Sequence, residues 1–181
     1  MKHNDEGFTG LEAAIVLIAF VVVAAVFSYV VLGAGFFTTQ KAQETVYKGV
    51  EQSTANIQMV GNVYGLSTDN STITNITFVI GLAPGASALD LTKMKIVFST
   101  PTTAPVILTQ AANASATTFS TMIGSTPETS INPNDQVQIN FAVAGVTANT
   151  KMTIELRPSV GAALPFSKTA PATIANTNVL Y

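Results

Sequence analysis

Cysteine and tryptophan are absent from this chain of 181 residues, and histidine occurs once, as His3. Without cysteine there is no disulfide framework, no thiolate chemistry and no cysteine-based metal site. Carboxylates at Asp69, Asp90, Glu128, Asp135 and Glu155 are scattered, with no spaced partner motif. No acid–base constellation follows from them. Asn134-Asp135 is better explained as a turn than as part of a calcium loop, and Tyr47 and Tyr64 as packing residues. No Gly-rich phosphate loop exists, so ATP hydrolysis is not expected. Charge is scarce as well, at 10% of residues with a formal net charge of -2, and basic runs are missing. A nucleic-acid partner is therefore not expected. Taken together, these absences imply no enzyme, no cofactor and no metal.

What is present is an apolar run. PheThrGlyLeuGlu, residues 8–12, leads into AAIVLIAFVVVAAVFSYVVLGAGFF, which carries no charge after Glu12. Only MKHNDEG precedes it. A secretory signal has a basic start, an apolar stretch of about 7–15 residues and a small-residue cleavage site after it. Here the stretch is longer, and the small residue, Gly7, stands before it. Acidic Asp5 and Glu6 also disfavour a plain anchor, which prefers Lys and Arg on the cytoplasmic side. Cleavage between Gly7 and Phe8 would leave the apolar segment in the mature chain, with a free ammonium on Phe8.

Residues 13–37 would form a helix of roughly 37 Å at 1.5 Å per residue, enough to cross a ~30 Å hydrocarbon core. It is apolar on every side, as in a helix held in lipid or within a bundle. Small residues at Ala19, Ala24, Ala25, Ser28, Gly33, Ala34 and Gly35 permit close helix approach. Glu12 enters this segment as a carboxylate, and such groups normally have a partner. Two readings stay open: pairing with the Phe8 ammonium of its own or a neighbouring copy, or a boundary position favouring the helix N-terminus. From 38 to 60 the pattern is amphipathic, with Ala42, Val46, Gly49, Val50, Ile57 and Val60 on one stripe. Glu44 and Lys48 form an i,i+4 pair.

After residue 72 the period becomes two. Ile76, Phe78 and Ile80 alternate with polar neighbours, as do Met94, Ile96 and Phe98. Val137, Ile139, Phe141 and Val143 form the clearest case, followed by Met152, Ile154 and Leu156. Weaker strands fit 106–109, 117–123, 164–168 and 172–177. The expected class is α+β: a long N-terminal hydrophobic helix, then an antiparallel, Ig-like β-sandwich head. The expected divisions are a cleaved leader at 1–7, a helix at 8–61, a connection at 62–72 and a head at 73–181. Asn70-Ser-Thr, Asn75-Ile-Thr and Asn113-Ala-Ser match the N-glycosylation pattern.

The stretch GFTGLEAAIVLIAFVVVAAVFSYVVL resembles the N-terminus of the type IV pilin superfamily, with Gly7 before the cut and Glu12 five residues into the mature chain. TTQKAQETVYKGVEQST and the Thr- and Asn-rich head resemble archaellins, the archaeal flagellins. The resemblance is detailed over residues 7–60 and general over the head. It implies processing by a prepilin-type signal peptidase and insertion into the cytoplasmic membrane as a precursor. It further implies transfer by a membrane assembly and motor platform into a homopolymeric motility filament, with N-linked glycans on the outer heads. An adhesive archaeal pilin and a membrane-anchored binding ectodomain are the rival readings. The physics agrees independently. An all-round apolar helix leaves lipid only for another apolar environment, and a bundle of identical helices is one. Contacts of that kind are heterologous, and without closure they build a filament.

Overall fold

A computed structural model describes residues 4–181. Two compact units divide the chain, residues 1–48 and residues 49–181. One helix, α1 (Asn4–Thr54), runs unbroken for 51 residues. Twelve strands follow: β1 (Ile57–Leu66), β2 (Ile73–Leu82), β3 (Leu89–Asp90), β4 (Lys95–Ser99), β5 (Val106–Gln110) and β6 (Thr118–Ile123), then β7 (Thr126–Pro127), β8 (Ser130–Ile131), β9 (Gln136–Val146), β10 (Lys151–Arg157), β11 (Leu164–Thr169) and β12 (Thr177–Leu180).

The helix ends earlier than the apolar spacing suggests. Ile57 and Val60, read as the end of a helical stripe, belong to β1, which pairs along its length with β2. Residues 57–66 are therefore part of the head and not helix plus connection. Residues three apart satisfy the helical period, but residues 57–60 pair with β2 in unbroken register, so Ile57 and Val60 fall on opposite faces of a strand. Register shifts between Val60 and Tyr64, with Gly61 at φ +77° inside the irregularity. Only glycine adopts that conformation without penalty. Gly65 has a different duty, since a Cβ there would stand 2.9 Å from the Ile73 side chain. The final strand begins at Thr177 and not at 172; Ile174 is buried, but from a loop.

The strands run in the order β11-β10-β4-β5-β6-β9-β2-β1-β12, with β7 on β6. All pairs are antiparallel except β5 with β6. The ends of this path meet. Thr169, closing β11, and Tyr181, just after β12, exchange two backbone hydrogen bonds of 2.7 and 3.2 Å. Aromatic contacts show the same curling. Phe78 on β2 and Phe166 on β11 stand 5.5 Å apart at 80°, although β10, β4, β5, β6 and β9 lie between them in the order. Phe98 on β4 and Phe141 on β9 are 5.8 Å apart. The inner face thus wraps around one core containing Phe78, Phe119, Phe141, Ile96, Ile139 and Leu156, all buried. Each such side chain contributes roughly 1.5–3 kcal/mol of burial. Closure also removes the open edges along which sheets aggregate.

The start of the head is pinned by glycine. Gly161 has φ +97°, and a Cβ there would lie 1.7 Å from the Ala55 carbonyl oxygen. Gly85 has φ +82° but open space around it. Gly161→Ala is expected to cost about 3 kcal/mol or more, combining strain with overpacking. Gly85→Ala should cost only about 1 kcal/mol. Thermal unfolding of the full chain in detergent, followed by circular dichroism, checks this; equal losses at the two positions would contradict it.

Candidate functional site

Every helical position from Gly10 to Ser53 is exposed. Leu11 is 65% exposed, Phe20 72%, Phe27 68% and Tyr29 80%. Soluble monomers rarely leave contiguous apolar patches above a few hundred Å² uncovered. The glycines in this surface support the same conclusion. Around Gly10, Gly33 and Gly35, nothing but the helix itself lies within 4 Å of an added Cβ. Packing within this chain does not require them, whereas close approach by a second helix would.

Hydroxyls and charges appear where the apolar run ends. Thr38 donates to the Ala34 carbonyl at 2.8 Å and Thr39 to that of Gly35 at 2.9 Å. Glu44 accepts from Lys41 and from Lys48, each at 2.7 Å. The two ammonium groups, Lys41 first, hold the Glu44 carboxyl below its ordinary range. The Lys41 ammonium also lies 6.0 Å from the centre of the Phe37 ring. Glu12 is exposed on the helix. Gly7 lies within α1, and the side chain of Phe8 is outside the described residues.

The three sequons differ in setting. Asn70 is exposed at φ +54° in the turn between β1 and β2. Asp69 organises that turn, its Oδ1 accepting from the Ser71 and Thr72 amides and the Ser67 hydroxyl, each at 3.0 Å. These bonds, the Thr72 amide foremost, lower its carboxyl to about 2. Asn113 is exposed in the loop before β6, and its carbonyl accepts from Thr118 Oγ1 at 2.9 Å. Asn75 is half-buried in β2, opposite Leu66 of β1 and Ala142 of β9. The hydroxyl of its sequon, Thr77, accepts from Gln138 at 2.9 Å. Among the described residues no three His, Cys, Asp or Glu side chains cluster as metal ligands. A cleft of about 330 Å³ between the β4–β5 turn and the end of β9 is lined by Phe98, Leu108, Val143 and threonines, with no titratable group.

An uncovered apolar helix joined to a closed β head fits a membrane-anchored ectodomain as well as a polymer subunit, and comparison with known proteins decides between them. The model of the archaeal-type flagellin family matches residues 7–168. The chain belongs to this family. It is 40% identical to probable flagellin 1 of Archaeoglobus fulgidus, over 98% of this chain and 96% of that one. The 24 kDa flagellin of Methanospirillum hungatei is 91% identical over 32 residues, 18% of this chain. In structure, the chain is similar to the archaeal flagellum of Methanospirillum hungatei strain JF1, with a TM-score of 0.75 and 36% identity over 95% of this chain and 99% of the other. A flagellin of this family is a structural subunit and not an enzyme.

Acid should act on the Asp69 turn. Its carboxyl titrates near 2 in the folded head against an ordinary 3.8. The folded state therefore gains from Asp69 above about 3.8, and that gain is lost as pH falls towards 2. Asp69→Asn should lower stability at neutral pH and flatten its decline over this interval. Denaturant unfolding of the full chain at a series of pH values checks the slope; parallel profiles would contradict it.

Proposed function

We infer that this chain is the repeating structural subunit of an extracellular archaeal motility filament, the archaellum. The uncovered apolar surface from Gly10 through Phe37 carries the inference. Membership of the flagellin family and likeness to the archaeal flagellum support it. Helices of successive copies cover one another in the filament core, and the β heads form the outside. At about 25 cal/mol per Å², well over ~1000 Å² of buried apolar surface per copy gives a tightly held polymer.

Before assembly the same helix occupies the cytoplasmic membrane, where all its backbone groups are satisfied internally. A prepilin-type peptidase removes residues 1–7 at the Gly7–Phe8 bond. The new Phe8 ammonium then pairs with Glu12 of its own or a neighbouring copy, which offsets the cost of a carboxylate in apolar surroundings. Torque comes from a separate motor platform, and the subunit transmits it. N-linked glycans occupy the outer surface.

Shearing cells and sequencing the released filament protein by mass spectrometry tests this. A Phe8 start in polymer is expected, and Gly7→Val should leave full-length chain in membranes. Glu12→Gln should lower filament yield with processing intact. Recovery of the chain only as an unpolymerised membrane protein would overturn the reading.

Occupancy of the sequons should follow their exposure. Asn70 and Asn113 stand clear of the sheet, whereas Asn75 is confined between two paired strands. Glycopeptide mapping should find glycan on Asn70 and Asn113 and none on Asn75. Unmodified peptides at both exposed sites would refute the assignment.

A further inference from the structure

The uncharged run of α1 is longer than a membrane is thick. Twenty-eight residues lie between Glu12 and Lys41, all in one unbroken helix, and span roughly 42 Å at 1.5 Å per residue. A hydrocarbon core is about 30 Å thick. Tilt does not absorb the excess. At the usual ~20° the run still covers about 39 Å, and full immersion needs roughly 45°, beyond the range seen for transmembrane helices. About 10 Å of the run therefore stands outside the hydrocarbon.

Composition decides which end. Residues 13–32, AAIVLIAFVVVAAVFSYVVL, span roughly 30 Å and include no glycine. Residues 33–40, GAGFFTTQ, hold two glycines, two threonines and a glutamine. Lipid retains the more apolar end. Glu12 agrees, because a carboxylate is costly at membrane depth and marks the inner boundary. Tyr29, 80% exposed, then lies within one turn of the outer boundary, where tyrosine is favoured. The excluded residues form a collar at the outer headgroups. Phe36 and Phe37 are each 63% exposed on it. Its glycines, Gly33 and Gly35, have open space around them. Thr38 and Thr39 donate to the Ala34 and Gly35 carbonyls, so both hydroxyl protons are used within the helix.

We propose that residues 33–40 are the surface through which a membrane-held copy first docks on the filament, while residues 13–32 are still in lipid. The occupant is the helix of a second copy. The collar continues, without a break in α1, the apolar surface that carries the filament reading. It has no charge to repel an identical partner, and its glycines admit close approach. Lipid offers residues 13–32 surroundings about as apolar as a neighbouring helix. The collar lies beyond that cover and gains an apolar environment only from protein. Hydrophobic burial therefore acts there before it acts on the rest of the run. The proposal rests on the membrane-precursor and filament readings, and goes beyond them by assigning the first contact of assembly.

The chain has no cysteine, so single cysteines introduced into it report their surroundings without background. The test uses the full chain in membranes of cells stripped of filaments by shear. Ala34→Cys and Phe37→Cys should react with a water-soluble maleimide roughly tenfold faster than Val22→Cys and Val26→Cys, because apolar surroundings suppress the reactive thiolate. In sheared filaments Ala34→Cys should react as slowly as Val22→Cys. Phe36→Ser with Phe37→Ser should lower filament yield roughly tenfold or more through lost burial. Its accumulation in membranes should match wild type, because these side chains lie outside lipid. Phe36→Leu with Phe37→Leu should return most of the yield. Slow reaction of Ala34→Cys and Phe37→Cys in membranes would overturn the proposal, as would fast reaction of Ala34→Cys in filaments or wild-type yield from the serine variant. Loss of the serine variant from membranes would place the collar in lipid, and also overturn it. A wild type that forms no filament at all would refute the filament reading, and the proposal with it.

Discussion

Twenty-eight residues separate Glu12 from Lys41 without one charge between them, and every one of them is exposed. The rest of the molecule depends on that constraint. A helix so built has no stable existence in water, and its chain must always be somewhere apolar. Lipid and a bundle of copies are two environments that meet the need, and on the reading proposed above passage from one to the other is filament assembly. The free-energy difference between them is small, because a lipid tail is about as apolar as a valine side chain. Assembly therefore draws on close packing at small residues, and Gly33, Gly35 and the alanines are where that packing becomes possible. The same logic explains why Gly10, Gly33 and Gly35 have nothing against them in a single copy.

A head outside the cell with no cysteine must rely on other constraints. Closure of the sheet through Thr169 and Tyr181 joins the two ends of the strand order. The aromatic contacts among Phe78, Phe141, Phe98 and Phe166 tie distant strands through the core. At the point where chain leaves the helix, Gly161 admits the Ala55 carbonyl so closely that no side chain fits between them. Burial, closure and one tight contact thus take the place of disulfides.

Much of this was legible from residues alone, for a physical reason in each case. An apolar helix declares itself by composition, and strands with one buried face by alternation, as at Val137, Ile139, Phe141 and Val143. Sequence failed where two periods coincide. Ile57 and Val60 fit a helix stripe by their spacing of three, yet pairing with β2 places both in β1. Gly61 sits in a bulge and Gly65 makes a close approach to Ile73, which depend on the pairing of β1 with β2 and on no local pattern. Sequon settings were equally hidden. Whether Asn75 stands free depends on β1 and β9 flanking β2, and no local pattern contains that fact.

Helix and head divide the work of assembly by the nature of their forces. Burial of apolar surface is strong but non-directional. A helix that is apolar all round can rotate about its axis or slide along its neighbours at little cost. Such a core supplies cohesion without fixing rise or azimuth. A filament that transmits torque needs both fixed. Directional interactions must provide them, and within the apolar span the only charged group is Glu12. Beyond that span, the candidates are the Lys41–Glu44–Lys48 bridge and the head charges. The bridge is satisfied within one helix, so it stiffens that helix and contributes less to the choice of neighbour. On the reading proposed above, the groups left to set register are Glu12 at one end of the chain and the heads at the other. A sparse set of charges suits this role, since each wrong register brings like charges together or leaves one unpaired, and few charges leave few acceptable alternatives.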